Sequence, residues 1–225
     1  QQKEKNMNFK KITIFAGHYG SGKTNLAVNL ALHLRKSGME CALCDLDIVN
    51  PYFRSKDSED ELSAAGIRLI SSEFANSNLD VPSIPPAAYA VFAQGDISSV
   101  IDLGGDDRGA YALGRFSEFL QDSADYDMLL VINKFRPDTA TPQDALDIAR
   151  EIEGACHVKF TGIVNNSNLG RETTRELIES TVPYANEVSR VMELPLIMTT
   201  HRRDITVGIP DAFPIDLMVK SGWML

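Results

Sequence analysis

The feature that most constrains this chain is the octapeptide Gly17-His18-Tyr19-Gly20-Ser21-Gly22-Lys23-Thr24. It follows an apolar, β-branched run, Lys11-Ile12-Thr13-Ile14-Phe15-Ala16. It precedes a segment whose apolar residues Leu26, Ala27, Leu30, Ala31 and Leu34 recur at helical spacing. A strand that turns through glycines into a helix directs main-chain N–H groups at one point, where no Cβ obstructs a phosphate. The helix N-terminus adds partial positive charge, Lys23 is placed to reach outer phosphates, and Thr24 to ligate Mg²⁺. The pattern predicts a phosphate cradle built from Gly17, His18, Tyr19, Gly20, Ser21, Gly22, Lys23, Thr24 and the adjoining Asn25.

The rest of the chain alternates strand-like and helix-like segments. Strands are expected at Glu40–Leu46, Ile67–Ile70, Ser98–Leu103, Met128–Asn133, Val158–Val164 and a last short one at Leu196–Thr199. Helices are expected over Thr24 to Lys36, Ala87–Gln94, Arg108–Gln121, a segment opened by Thr141-Pro142 and ended by Gly154, Arg171–Glu179 and Pro183–Met192. Lys56–Glu61 reads as a solvated acidic face and the proline-rich Leu79–Pro86 as loop. Apolar strands alternating with helices imply a three-layer α/β/α fold, with a mostly parallel, doubly wound sheet covered on both faces. Residues 1–6 read as an appended or frayed tail ahead of Met7, and residues 7–225 as one nucleotide-binding domain.

Charge narrows the partners. Lys and Arg number 22 against 31 Asp and Glu, a net charge of -9, with no basic run. Nucleic-acid binding through phosphate neutralisation is therefore not expected. No apolar stretch approaches bilayer length, so no membrane contact is expected either, and a cytoplasmic location follows. Cys41, Cys44 and Cys156 fit a reducing compartment. Cys41 and Cys44 have metal-like spacing, but positions i and i+3 of a strand face opposite ways, so they read as small core residues.

Two carboxylate clusters sit at strand ends, where α/β proteins bind ligands. Asp45 and Asp47 bracket Leu46 at the end of the second strand. Asp102 closes the Ser98–Leu103 strand, ahead of Gly104-Gly105 and the charged Asp106, Asp107 and Arg108. With the octapeptide, Asp45-Leu46-Asp47, Asp102-Leu103-Gly104-Gly105 and Asn166 after a late strand, the chain resembles the MinD/ParA class of P-loop ATPases. That class also includes the nitrogenase iron protein and the arsenite-pump ATPase. The resemblance implies that Lys23 and Asp47 are catalytic, with Asp47 positioning the attacking water. It also implies that Thr24, Asp47 and Asp102 serve Mg²⁺, that Asn166 contacts adenine, and that ATP drives homodimerisation or a protein partner. The family carries a lysine and a glycine where this chain has His18 and Tyr19, so cross-subunit catalysis by that lysine does not transfer.

Guanine readers place Asp at the end of an Asn-Lys-x-Asp segment. Asn133-Lys134-Phe135-Arg136 has Arg there, and Asn165-Asn166-Ser167-Asn168 has Asn. ATP/ADP is therefore the expected nucleotide, with Arg202 or Arg203 as stacking candidates. Two alternatives stand beside the ATP-driven switch: a small-molecule kinase or ATP-dependent ligase, similar to dethiobiotin synthetase and cobyrinate amidase, with its acceptor near Asn50, Tyr52 and Arg54, and a nucleotide-binding module without turnover.

Overall fold

The computed structural model describes residues 9–47, 59–71, 88–89, 97–105, 107–210 and 212–218. The Asn50, Tyr52 and Arg54 acceptor site, Asp106, the Leu79–Pro86 loop and all but two residues of the Ala87–Gln94 helix lie outside these.

The strands are β1 (Ile12–Ala16), β2 (Cys41–Leu46), β3 (Arg68–Ser71), β4 (Ser98–Leu103), β5 (Tyr126–Ile132), β6 (Gly162–Asn165), β7 (Leu196–Arg202) and β8 (Ala212–Ile215). They form one sheet in the order β3-β2-β4-β1-β5-β6-β7-β8, and every neighbouring pair is parallel. β1 and β2 are buried along their whole length. Unbroken apolar sequence is what a strand covered on both faces requires.

Two apolar layers flank the sheet. Phe15, Cys41, Leu43 and Val100 pack with α1 (Lys23–Lys36) on one face. Ile14, Ala42, Cys44 and Ile101 pack on the other, against the helices Asp107–Gly114, Pro142–Cys156 and Val182–Met192. The three-layer α/β/α arrangement is thus present, with an all-parallel sheet. Cys41 and Cys44 go to opposite cores, as strand geometry dictates.

Several element boundaries differ from the sequence expectation for identifiable reasons. The helix expected over Arg108–Gln121 is two, Asp107–Gly114 and Ser117–Ser123, because Arg115 and Phe116 donate three residues back, to Ala112 and Leu113, and the turn seats Phe116 in the core. Gly154 does not end its helix. The chain continues to Cys156, whose burial offsets the glycine penalty of about 1 kcal/mol, and stops at His157 with φ 57°. β6 starts at Gly162, not Val158, because Thr161 first bonds Met128 through backbone and hydroxyl. Arg171 lies in a 3-10 turn, and the following helix opens at Arg175 on a Thr174 cap. The acidic stretch holds a short helix, α2 (Glu59–Ala64), anchored by buried Leu62.

The last strand is β8, not Leu196–Thr199. Its burial alternates and Pro214 occupies an outward position, the pattern a proline-bearing edge strand permits.

Candidate functional site

Because every strand runs the same way, the segments following β1, β2, β4, β5, β6 and β7 all emerge on one edge of the sheet. β1 sits between β4 and β5, so the Gly17–Thr24 turn leaves the sheet where strand order reverses, the crevice in which open α/β sheets bind ligands.

The turn is shaped by glycine. Gly22 is the N-cap of α1 in the left-handed region, φ 92° and ψ 19°. A Cβ there would strike the Asn166 amide nitrogen, so position 22 excludes side chains twice over. Ser21 N and the Lys23 ammonium both donate to the His18 carbonyl, at 3.3 and 3.0 Å. Ser21 is 1% exposed and its hydroxyl has no hydrogen-bond partner among the described residues.

Asn166 supports the turn from beneath. Its Nδ2 donates to Ser21 O at 2.6 Å and its Oδ1 accepts from Thr200 Oγ1 at 2.5 Å. The amide expected to read adenine is thus engaged by the phosphate turn and β7. Asn25 is engaged elsewhere too: it exchanges hydrogen bonds with Asp216 O and Met218 N, 2.9 Å each, and so clasps the segment after β8 to α1.

The carboxylates converge. Asp45 and Asp102 are opposed in register on the parallel pair β2–β4 and are 2% and 1% exposed. They extend the rows Cys41–Leu43 and Val100 that face α1, so both lie on the side of Lys23 and Thr24. Asp45 Oδ1 accepts from Asp47 N at 2.9 Å, which fixes the start of the loop carrying buried Asp47. These acids and burial push the Cys44 thiol up, burial being the larger cause.

The Gly104-Gly105 segment after Asp102 meets the phosphate turn. A Cβ on Gly105 would lie 2.7 Å from Tyr19 N and 3.0 Å from Lys23 Nζ. Only glycine allows this approach.

The β5 and β6 edges are stitched together by Lys134 N to Ser167 Oγ at 2.9 Å and Asn133 Nδ2 to Asn168 O at 3.3 Å. Two residues of the β5 loop lie beside the phosphate turn. His18 Nδ1 is 3.2 Å from Asp138 Oδ2, and a Cβ on Gly20 would lie 3.5 Å from Arg136 Nε. In the sequence Arg136 stands only at a base-reading position and Asp138 carries no signal, since nearness to position 18 or 20 is fixed by topology alone. Beside β7, an open cleft of about 710 Å³ is lined by Arg171, Arg202 and Arg203. Arg202 pairs with Asp204 and Arg203 with Asp216, so both stacking candidates hold carboxylate partners.

The donor set suits a phosphate-borne Mg²⁺ better than a protein cage. Among the described residues no group of three or more His, Cys, Asp or Glu side chains could hold a metal. Mg²⁺ keeps waters and takes ligands from phosphate oxygens. One hydroxyl, Thr24, at the helix start with buried carboxylates on the neighbouring strand ends fits that mode.

Comparison with known proteins agrees with this geometry. Residues 12–190 match the CobQ/CobB/MinD/ParA nucleotide-binding domain, CbiA. The chain belongs to that family of P-loop nucleotide-binding domains. Among curated proteins, none matches the sequence. Solved structures with the same fold include the cell division protein FtsY of Thermotoga maritima, 20% identical, TM-score 0.54, over 92% of this chain and 65% of that one. FtsY of Mycoplasma mycoides is 16% identical, TM-score 0.57, over 87% and 62%. FlhF complexed with GTP/Mg²⁺ is 14% identical, TM-score 0.56, over 90% and 70%. This chain therefore spans less than two thirds of either FtsY. No described helix is long and apolar enough to cross a membrane.

Proposed function

We propose that this chain is a cytoplasmic, Mg²⁺-dependent ATPase of MinD/ParA type, with residues 7–225 as its single nucleotide-binding domain, whose nucleotide state switches its surface for a protein partner or a second copy of the chain. The observation that carries it is the closeness of Gly105 to the phosphate turn, where a side-chain Cβ would lie 2.7 Å from Tyr19 N and 3.0 Å from Lys23 Nζ. A terminal phosphate drawn to Lys23 must share space with the Gly104-Gly105 segment. Triphosphate and diphosphate therefore set that segment, and the 107–114 helix behind it, differently.

In this reading Lys23 leaves the His18 carbonyl for the outer phosphates, and the Gly17–Thr24 turn holds the chain of phosphates at the α1 N-terminus. Thr24 ligates Mg²⁺, which would neutralise developing phosphate charge when bound, with Asp102 behind it. Asp47, held by Asp45, orients the water that attacks the terminal phosphorus. Asn166 acts by holding the turn.

Support for ATP is the Arg136 that stands where guanine readers carry an acceptor carboxylate. FlhF was solved with GTP/Mg²⁺ and the 54 kDa signal recognition particle protein of Aeropyrum pernix K1 with GDP. At 14% and 15% identity these carry the fold and leave the purine to direct test. A second reading, ATP-dependent transfer to a small acceptor, draws on the family's CobQ/CobB members.

Phosphate release from ATP and GTP, measured beside molecular mass by light scattering, separates them. Release from ATP in preference to GTP with no acceptor present, and a mass that rises with ATP, agree with the switch. Bound ATP without release favours transfer, and preference for GTP overturns the assignment of the base.

A further inference from the structure

We propose that Arg136 supplies a second cation, from the same chain, to the polyphosphate held by the Gly17–Thr24 turn. This rests on the nucleotide-binding reading above and adds to it a residue from the β5 loop.

The guanidinium lies along the turn at Gly20. A Cβ built there would be 3.5 Å from Arg136 Nε, 3.6 Å from Cζ and 3.8 Å from Nη2. The loop that carries it is fixed at both ends. Thr139 Oγ1 donates to Asn133 O at 2.8 Å, the Tyr184 hydroxyl donates to Thr139 O, and Lys134 N donates to Ser167 Oγ. Asp138, two residues on, faces His18 and so pins the same loop to the turn. The backbone that carries the exposed Arg136 side chain is thus held beside the turn.

Its charge is uncompensated. Arg136 pairs with no carboxylate among the described residues, and the nearest acid in sequence, Asp138, is turned to His18. An unpaired guanidinium beside a phosphate turn favours an anion there. Its planar fork of donors matches phosphate oxygens and offers no acceptor to the N–H edge of a purine.

The test is calorimetric titration of the full chain and of Arg136→Gln and Arg136→Lys with MgATP, MgADP and adenosine, with thermal melts confirming folding. Expected is a loss of about tenfold in MgATP affinity for Arg136→Gln, a smaller loss for MgADP, and none for adenosine where it binds. Arg136→Lys should keep most of the MgATP affinity. Equal affinity of folded Arg136→Gln and the unaltered chain for MgATP overturns the proposal and leaves nucleotide binding intact, as does an equal loss for all three ligands. Absence of binding by the unaltered chain overturns the nucleotide reading itself.

Discussion

Asn166 illustrates how one side chain connects sheet and site. Both ends of its amide are committed, to Ser21 O and to Thr200 Oγ1, and it is 2% exposed. Asn166→Ala would take the amide donor from the Ser21 carbonyl and leave the Thr200 hydroxyl only its long bond to Asn165 O, at a cost of about 1–3 kcal/mol. It would also free the turn that Gly22 brings against it. The expected outcome is a lower urea midpoint together with weaker MgATP binding, and an unchanged midpoint would show that the turn does not depend on this amide. The Gly-x4-Gly-Lys-Thr spacing was legible in the sequence because its residues are contiguous and their chemistry is local. The partners of that turn, Asn166, Gly105, Arg136 and Asp138, come from three other strand ends. Their proximity follows from strand order, which spacing does not encode.

At the scale of elements, legibility followed the strength of local signals. α1 was readable because apolar spacing, basic residues in its last turn and Gly38 beyond it agree. The Pro142–Cys156 helix was readable at its start, where Thr141 and Asp144 form a capping box. Its end was not, since Gly154 gave a stop signal that core burial of Cys156 overrode. β8 was missed because it has only four residues, one of them proline, and its strand character depends on β7 beside it. Of the two asparagines of α1 that clasp the chain after β8, Asn25 read from sequence only as part of the phosphate cradle and Asn29 carried no signal. Asp45 and Asp102 were each legible as strand-end acids, whereas their side-by-side register needed the β2–β4 pairing.

At the scale of the whole molecule, three thiols lie in the two cores, and burial raises all of them: Cys41 from 9.0 to about 12, with Cys44 and Cys156 also raised. Well below pH 9 the thiols are protonated in folded and unfolded chain alike and have no effect on the pH dependence. Above it the unfolded chain releases these protons first, so it binds fewer than the folded chain and stability falls as pH rises, for Cys41 by up to about 1.4 kcal/mol per pH unit toward pH 12. Urea unfolding between pH 8 and pH 10.5 should show this fall, and Cys41→Ala should make it shallower. Identical slopes for the two chains would mean that burial does not raise the Cys41 thiol. Both cores serve one purpose, which is to hold the strand ends still around the Gly17–Thr24 turn. The most direct test of that account is a crystal structure of the chain with MgADP. The account predicts the terminal phosphate inside the turn, with Lys23 Nζ moved from His18 O onto it. Nucleotide bound elsewhere, with the turn unengaged and Lys23 still on His18 O, would contradict it.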